Sequence, residues 1–410
     1  MTLTNILNQL ESVGLSNSIQ AIPYITDEPK IPGFLCFANT FAEEKYSTRE
    51  VFGQGYDFSS IKGRVKAVGE FLERLCFDNP KKDSCILDTY TNQPGYINPT
   101  MFCCYSEEQL SKMKNHLDDV NNSTYLWMKV RDLLNSKEVF LPAQMVFIRG
   151  FDDEFPIRLE RITTGGALGI KGTNHAFAYG LLEVLERDAC MGAYLQKIPV
   201  KRIVDLPSDI SEMVKYLDRY NLETHILDVT SDLNVPTVAV VTVDRTGKGP
   251  AINVGSKAAF SYDVAIERAI LESIQCRRVA RIEKESKYSE GLPLVKNITG
   301  VDDRYYFWYP TNKINNLDFW LVSNGTISYK KLSRQRSDLK SLLGIMQMKN
   351  FNIYVANLTL PELEFKGCEV LKVIVPELHP LFLSEDAKSL YSKHYGTIRN
   401  YNNLEPHPFT

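Results

Sequence analysis

The sequence predicts a mixed α/β fold, and two patterns carry that expectation. Strand-like runs at Gln144–Arg149, Thr224–Val229 and Pro236–Val243 alternate with longer stretches of helical apolar periodicity near 62–78, 174–195 and 261–283. Glycine, asparagine and proline punctuate the joints, as in Asn92-Gln93-Pro94-Gly95 and Gly247-Lys248-Gly249-Pro250, but no stretch is long or biased enough to be a linker. The chain therefore reads as one folding unit: an N-terminal segment at 1–50, a main domain at 51–380 and a proline-containing tail at 381–410.

Within the N-terminal segment, Leu3, Ile6, Leu7, Leu10 and Val13 recur at the spacing of an amphipathic helix, without the basic start or cleavage site of a signal peptide. No stretch approaches the roughly 18 uninterrupted apolar residues of a spanning helix, so a cytoplasmic protein is expected. With 44% hydrophobic and 24% charged residues the chain is globular. Its 47 basic and 50 acidic residues leave no excess with which to grip a nucleic-acid backbone. The eight cysteines never form C-x-x-C, and Cys76, Cys190 and Cys276 fall in apolar helical stretches, where a thiol behaves as a small hydrophobe.

Chemistry enters with an internal echo. Glu70-Phe71-Leu72-Glu73-Arg74 and Glu183-Val184-Leu185-Glu186-Arg187 both read E-x-L-E-R. In isolation the pattern describes a surface helix with salt bridges. From Ala176 to Tyr194, however, the helix is apolar nearly all round and therefore buried. Each pair of glutamates shares a face at i, i+3, and one arginine cannot satisfy two buried carboxylates. Four such glutamates brought together would suit hard divalent cations, and Mg2+ held by carboxylates completes its shell with phosphate oxygens and water. In a third helix Ala265, Arg268, Glu272 and Gln275 recur at three- and four-residue intervals and Arg277 follows; alone this is an ordinary amphipathic helix, but arginine forks are natural partners of phosphate oxygens. Known nucleotide loops are missing: Gly166-Ala167-Leu168-Gly169-Ile170-Lys171-Gly172-Thr173 does not match G-x-x-x-x-G-K-[ST], and Gly53-Gln54-Gly55 lacks the third glycine of a dinucleotide fingerprint. Any ATP would be held through carboxylate-bound metal.

These segments resemble a family. Thr163-Thr164-Gly165-Gly166-Ala167-Leu168, followed by Ala176 and Gly180-Leu181-Leu182-Glu183-Val184-Leu185-Glu186-Arg187-Asp188-Ala189, is similar to the signature of YcaO proteins. Ala67-x-x-Glu70-x-x-Glu73-Arg74 before it, and Ala265-x-x-Arg268-Ala269-x-x-Glu272-x-x-Gln275-x-Arg277 after it, resemble the flanking motifs in the same order. The resemblance departs at His175, where a glutamate often stands.

The resemblance implies a single large YcaO-type domain and an enzyme that spends Mg-ATP to activate a peptide backbone amide. The expected reaction is cyclodehydration of Cys, Ser or Thr in a ribosomally made precursor to an azoline. Glu70, Glu73, Glu183 and Glu186 would be the metal ligands and, with Arg187, the catalytic set; Arg74, Arg187, Arg268, Gln275 and Arg277 would bind the nucleotide. The tail, Pro376-Glu377-Leu378-His379-Pro380 and Leu404-Glu405-Pro406-His407-Pro408-Phe409-Thr410, resembles that of azoline-forming members, although it ends in threonine. The implied partners are the precursor peptide and a separate leader-binding protein resembling ubiquitin-activating enzymes, and a homodimer is allowed. Two other readings stay open: a thioamide-forming enzyme acting on a protein such as methyl-coenzyme M reductase, and an ATP-binding helper without catalysis.

Overall fold

A computed structural model describes residues 17–38, 51–80, 82–90, 94–113, 115–148, 164–287, 291–292, 295–322, 324–399 and 405–410. The fold is mixed α/β, as expected. The amphipathic segment at 3–13, Thr163 and the Asn92-Gln93 turn lie outside the described residues. The chain forms two compact units, each assembled from three separate segments, so neither boundary coincides with a change in composition.

The first unit holds Ile31–Val184 and Asn350–Leu378 together with the segment before Tyr24. Strands β1 (Asn17–Ala21), β2 (Gly33–Ala38) and β3 (Phe52–Tyr56) form an antiparallel sheet. Helix α1 (Ser60–Phe77) starts where the Ser59 side chain accepts the Lys62 N–H, and lays Ala67, Phe71, Leu72 and Leu75 into the core. It sits so close to β3 that a Cβ at Gly55 would lie 2.0 Å from the Gly63 carbonyl oxygen. The two glycines of Gly53-Gln54-Gly55 thus serve backbone-to-backbone packing. A six-stranded sheet runs in the order β4 (Ile86–Thr89), β5 (Thr124–Asp132), β13 (Tyr354–Asn357), β14 (Cys368–Ile374) and β7 (Gly166–Ile170), with β6 (Lys137–Pro142) also on β5. Gln144–Arg149, expected as a strand, instead begins within a short 3₁₀ turn at Ala143–Met145, and Arg149 lies outside the described residues. A short apolar run cannot tell a strand from a buried turn, because both faces of either are covered.

The second unit holds Leu185–Lys349, Tyr24–Lys30 and His379–Thr410. Its sheet runs β11 (Ile252–Ala258), β10 (Thr237–Asp244), β9 (Leu222–Asp228), β8 (Lys201–Val204) and β12 (Thr326–Ser328). Every residue of β10 is buried, which explains its continuous apolar reading. Helix α2 (His175–Leu195) gives its second half to this core, and helix α3 (Tyr262–Lys287) packs on β11 and β10. The tail is docked here. Trp308 Nε1 donates to the Pro406 carbonyl at 3.0 Å, Arg304 donates to the His407 carbonyl at 2.7 Å, and Phe409 is buried against Tyr194 and Trp320.

Candidate functional site

The first unit gathers Glu70, Glu73 and Glu183, all half-buried. Glu70 and Glu73 share a face of α1, and Glu183 comes from the third turn of α2. Glu70 and Glu183 each lean on a donor of the same unit. Glu70 accepts the Gln54 N–H and pairs with Arg74 at 2.7 Å, while Glu183 accepts the Gly165 N–H at 2.8 Å. Arg74 also donates to the Phe52 carbonyl and lies over the Phe52 ring. Glu73 Oε1 lies 3.0 Å from the point where Gly166 would carry a Cβ, so only glycine leaves it that space.

Burial and the neighbouring Glu183 and Glu70 push the Glu73 carboxyl up to about 8, and burial raises Glu70 despite Arg74 and the Gln54 N–H. A basic group faces them that the sequence did not announce. Lys372 of β14 is fully buried, and burial pulls its ammonium down to about 8 against the attraction of Glu183 and Glu73. Buried carboxylates that raise one another's affinity for protons are short of positive charge, and their all-oxygen donor set fits a hard divalent cation. Among the described residues, however, no three His, Cys, Asp or Glu side chains converge into a ready cage. Like charges repel, and Glu70 and Glu183 are drawn instead to their own donors.

Glu186, expected in the same metal set, is placed differently. It is fully buried in the second unit, where Oε1 accepts from Ser256 Oγ at 2.8 Å, Oε2 accepts from the Ala258 N–H at 3.2 Å, and Lys257 stands 3.0 Å away. Burial alone would raise it, but Lys257, Arg187 and Ser256 outweigh burial and keep it ionised. Both oxygens of Glu186 are thus engaged by protein donors, an arrangement that its expected place in one metal set with Glu70, Glu73 and Glu183 did not foresee. Arg187 lies between Glu186 at 3.9 Å and Glu272 at 3.8 Å. Glu272 accepts the Ser256 N–H at 2.8 Å and is pushed up to about 7 by burial and by Glu186. Arg268 and Gln275 are half-buried on α3 and share the face of Glu272, at the expected spacing.

Arg277 does not join them. Its guanidinium is buried, donates to Glu28 at 2.6 and 2.8 Å, to Asp244 at 2.7 Å and to the Pro250 carbonyl at 2.8 Å. A phosphate would have to displace two carboxylates, so the expected nucleotide contact is replaced by a structural tie that holds Tyr24–Lys30 in the second unit. Glu28 lies 249 residues away, beyond any local pattern. Near α3 the tail places Thr410 Oγ1 3.4 Å from Cys276 Sγ and 3.4 Å from the Tyr305 hydroxyl. All eight cysteines are free thiols, and burial pushes Cys276 up to about 11. No helix among the described residues is long and apolar enough to cross a membrane.

Comparison with known proteins adds the following. Residues 54–379 match the family profile described as YcaO cyclodehydratase, ATP- and Mg2+-binding. A protein of Methanothermobacter thermautotrophicus is 29% identical over 339 residues, covering 79% of this chain and 80% of its own. A heterocyclase solved in complex with substrate and cofactor superposes with a TM-score of 0.73 at 17% identity, over 98% of this chain but only 57% of its own. YcaO from Methanopyrus kandleri, bound with AMPPCP and Mg2+, gives 0.64 at 18% identity over 91% and 88%. The E. coli microcin synthetase McbBCD complex with pro-MccB17 bound gives 0.65 at 16% identity over 92% of each chain.

Proposed function

The chain belongs to the YcaO family, which binds ATP and Mg2+, and from that premise we propose that it is a cyclodehydratase forming azolines from Cys, Ser or Thr in a ribosomally made peptide. The observation that carries the reading is the half-buried trio Glu70, Glu73 and Glu183, whose shortage of positive charge suits a metal-bound polyphosphate.

In the proposed reaction the peptide's own side-chain thiol or hydroxyl adds to the preceding backbone carbonyl. The resulting oxyanion takes the terminal phosphoryl group of ATP, and phosphate then leaves with the former amide oxygen while the nitrogen loses its proton. Mg2+, when bound, would offset the charge of the transferring phosphoryl group. Glu70, Glu73 and Glu183 would hold it, with Arg74 fixing the orientation of Glu70. Arg187, Arg268 and Gln275 would meet the nucleotide. The docked tail would present Thr410 beside Cys276, on the helix that carries Glu272.

A separate protein would present the precursor's leader, as the multi-subunit microcin synthetase suggests. Free thiols fit a reducing, cytoplasmic setting. The second reading is thioamide formation, in which sulfide rather than a side chain of the peptide adds to the activated amide.

The test incubates the protein with ATP, Mg2+, candidate peptide and partner, and follows peptide mass. Loss of about 18 Da per ring supports cyclodehydration and a gain of about 16 Da supports the thioamide, as the atoms removed by the phosphorylated-amide route require. Glu183→Gln should abolish both the mass change and phosphate release. A fully active Glu183→Gln enzyme overturns the metal assignment.

A further inference from the structure

Lys372 is a buried cation beside the acidic trio to which the proposed reaction assigns no task. It sits in mid-strand on β14, is 0% exposed, and pairs across the sheet with Gly166 of β7. Around that pair the acidic groups assemble. Glu73 Oε1 lies 3.0 Å from the place of a Gly166 Cβ, and the neighbouring Gly165 N–H holds Glu183 at 2.8 Å. The Lys372 ammonium lies 5.1 Å from the centre of the Phe77 ring, which also crowds the place of a Gly166 Cβ, and it interacts electrostatically with both Glu183 and Glu73. A lysine is seldom buried without an anionic partner, because its desolvation must be offset. The ring face adds a weak attraction of its own.

We propose that Lys372 is a built-in countercation of the Glu73–Glu183 pair, holding both carboxylates in place in the metal-free protein and competing with a divalent cation for them. The inference rests on the reading of Glu70, Glu73 and Glu183 as metal ligands. With these three ionised, Arg74 and Lys372 offset two of the charges. Removing Lys372 leaves a more anionic cluster, which attracts a divalent cation more strongly and tolerates its removal less well. Lys372 is thus a positioning residue that trades metal affinity for a folded metal-free state.

The test compares the full chain with Lys372→Met and Lys372→Arg, without nucleotide, in two measurements. Mn2+ is titrated by electron paramagnetic resonance as a probe of the metal site, and thermal midpoints are recorded in EDTA and in Mg2+. Lys372→Met should bind Mn2+ about tenfold more tightly or better, melt earlier in EDTA, and regain its midpoint in Mg2+. Lys372→Arg should follow the wild type in both, because it keeps the charge. Should the Met variant not fold, Lys372→Gln carries the same expectation. Unchanged or weaker Mn2+ binding, or an equal loss of midpoint in EDTA and Mg2+, overturns the inference alone. A wild-type chain that binds no Mn2+ overturns the metal reading and this inference with it.

Discussion

Glu272 accepts the backbone N–H of Ser256 at 2.8 Å, sixteen residues earlier in the chain. The first unit repeats the relation at the same separation, where Glu70 accepts the N–H of Gln54. Both pairs lie where a strand is pressed onto the following helix with glycine at the contact. A Cβ at Gly255 would lie 2.2 Å from the Ala269 carbonyl oxygen and 2.3 Å from the Ser273 nitrogen, and one at Gly55 would lie 2.0 Å from the Gly63 oxygen. Each unit thus aims a carboxylate with the same strand-on-helix device.

Gly55→Ala should therefore destabilise the first unit by about 3 kcal/mol, the upper end for overpacking, because backbone rather than a flexible side chain must move. Displacing α1 also displaces Glu70 and Glu73, so phosphate release should fall further than stability alone explains. Urea unfolding and phosphate release measured on the same preparation check both, and Gly69→Ala, whose Cβ would meet nothing within 4 Å, is the control. Equal stability of the two variants would refute the packing account.

Much of this arrangement was legible in the sequence. The three long helices announced themselves by period, and the repeated E-x-L-E-R placed Glu70, Glu73 and Glu183 on buried faces. What escaped was set by tertiary register. Lys372 is recruited by its pairing with Gly166 across the sheet, and Lys257 reaches Glu186 from β11. Neither has a local signature, since a lysine within a strand ordinarily points to water. Arg277 misled for the opposite reason: it belongs to the same motif as Arg268 and Gln275, but two residues beyond Gln275 it falls on another face of α3, and its partners are Glu28 and Asp244.

That reassignment makes a separable prediction. Arg277→Ala strands Asp244 as an uncompensated buried charge and leaves Glu28 with Arg281 alone, and should cost about 3–5 kcal/mol, the usual range for breaking a buried pair. Glu28→Gln should weaken the same unit, although position 28 lies outside every sequence motif. If Arg277 instead served the nucleotide, Glu28→Gln would leave stability unchanged and Arg277→Ala would raise the KM for ATP at unaltered stability. Chemical denaturation together with ATP kinetics separates the two.

The tail offers a packing test. Phe409 is buried against Tyr194, Trp320 and His407, so Phe409→Ala should cost about 3–5 kcal/mol, as deletion of a core phenylalanine does. Thr410→Ala removes the hydroxyl beside Cys276 together with one methyl group and should leave stability within about 0.5 kcal/mol. Any large drop in peptide-dependent turnover in Thr410→Ala would then report on the position of the tail rather than on folding. A Phe409→Ala chain as stable as the wild type would mean that the tail is not part of the core.

The pH dependence of stability should be governed in part by His394. Its Nδ1 lies 2.7 Å from Asp188, its Nε2 lies 2.7 Å from Asp232, Lys349 pairs with Asp232 at 2.6 Å, and the Tyr395 ring adjoins it. Burial alone would lower the imidazolium's pKa, but the hydrogen bonds and charges of Asp188 and Asp232 outweigh burial and raise it above the ordinary histidine value. A group that holds its proton more tightly when folded stabilises the fold at pH below its ordinary value, and that contribution is lost as pH rises through the raised value. Stability should therefore decline as pH rises beyond the ordinary histidine value. His394→Gln, which can still hydrogen-bond but carries no charge, should flatten that decline and differ most from the wild type in mild acid. Urea unfolding at a series of pH values from mild acid to mild alkali decides the matter: parallel curves for the two proteins would remove His394 from the account, leaving the Asp188 contact with the His379 N–H at 2.7 Å as the tie for this segment.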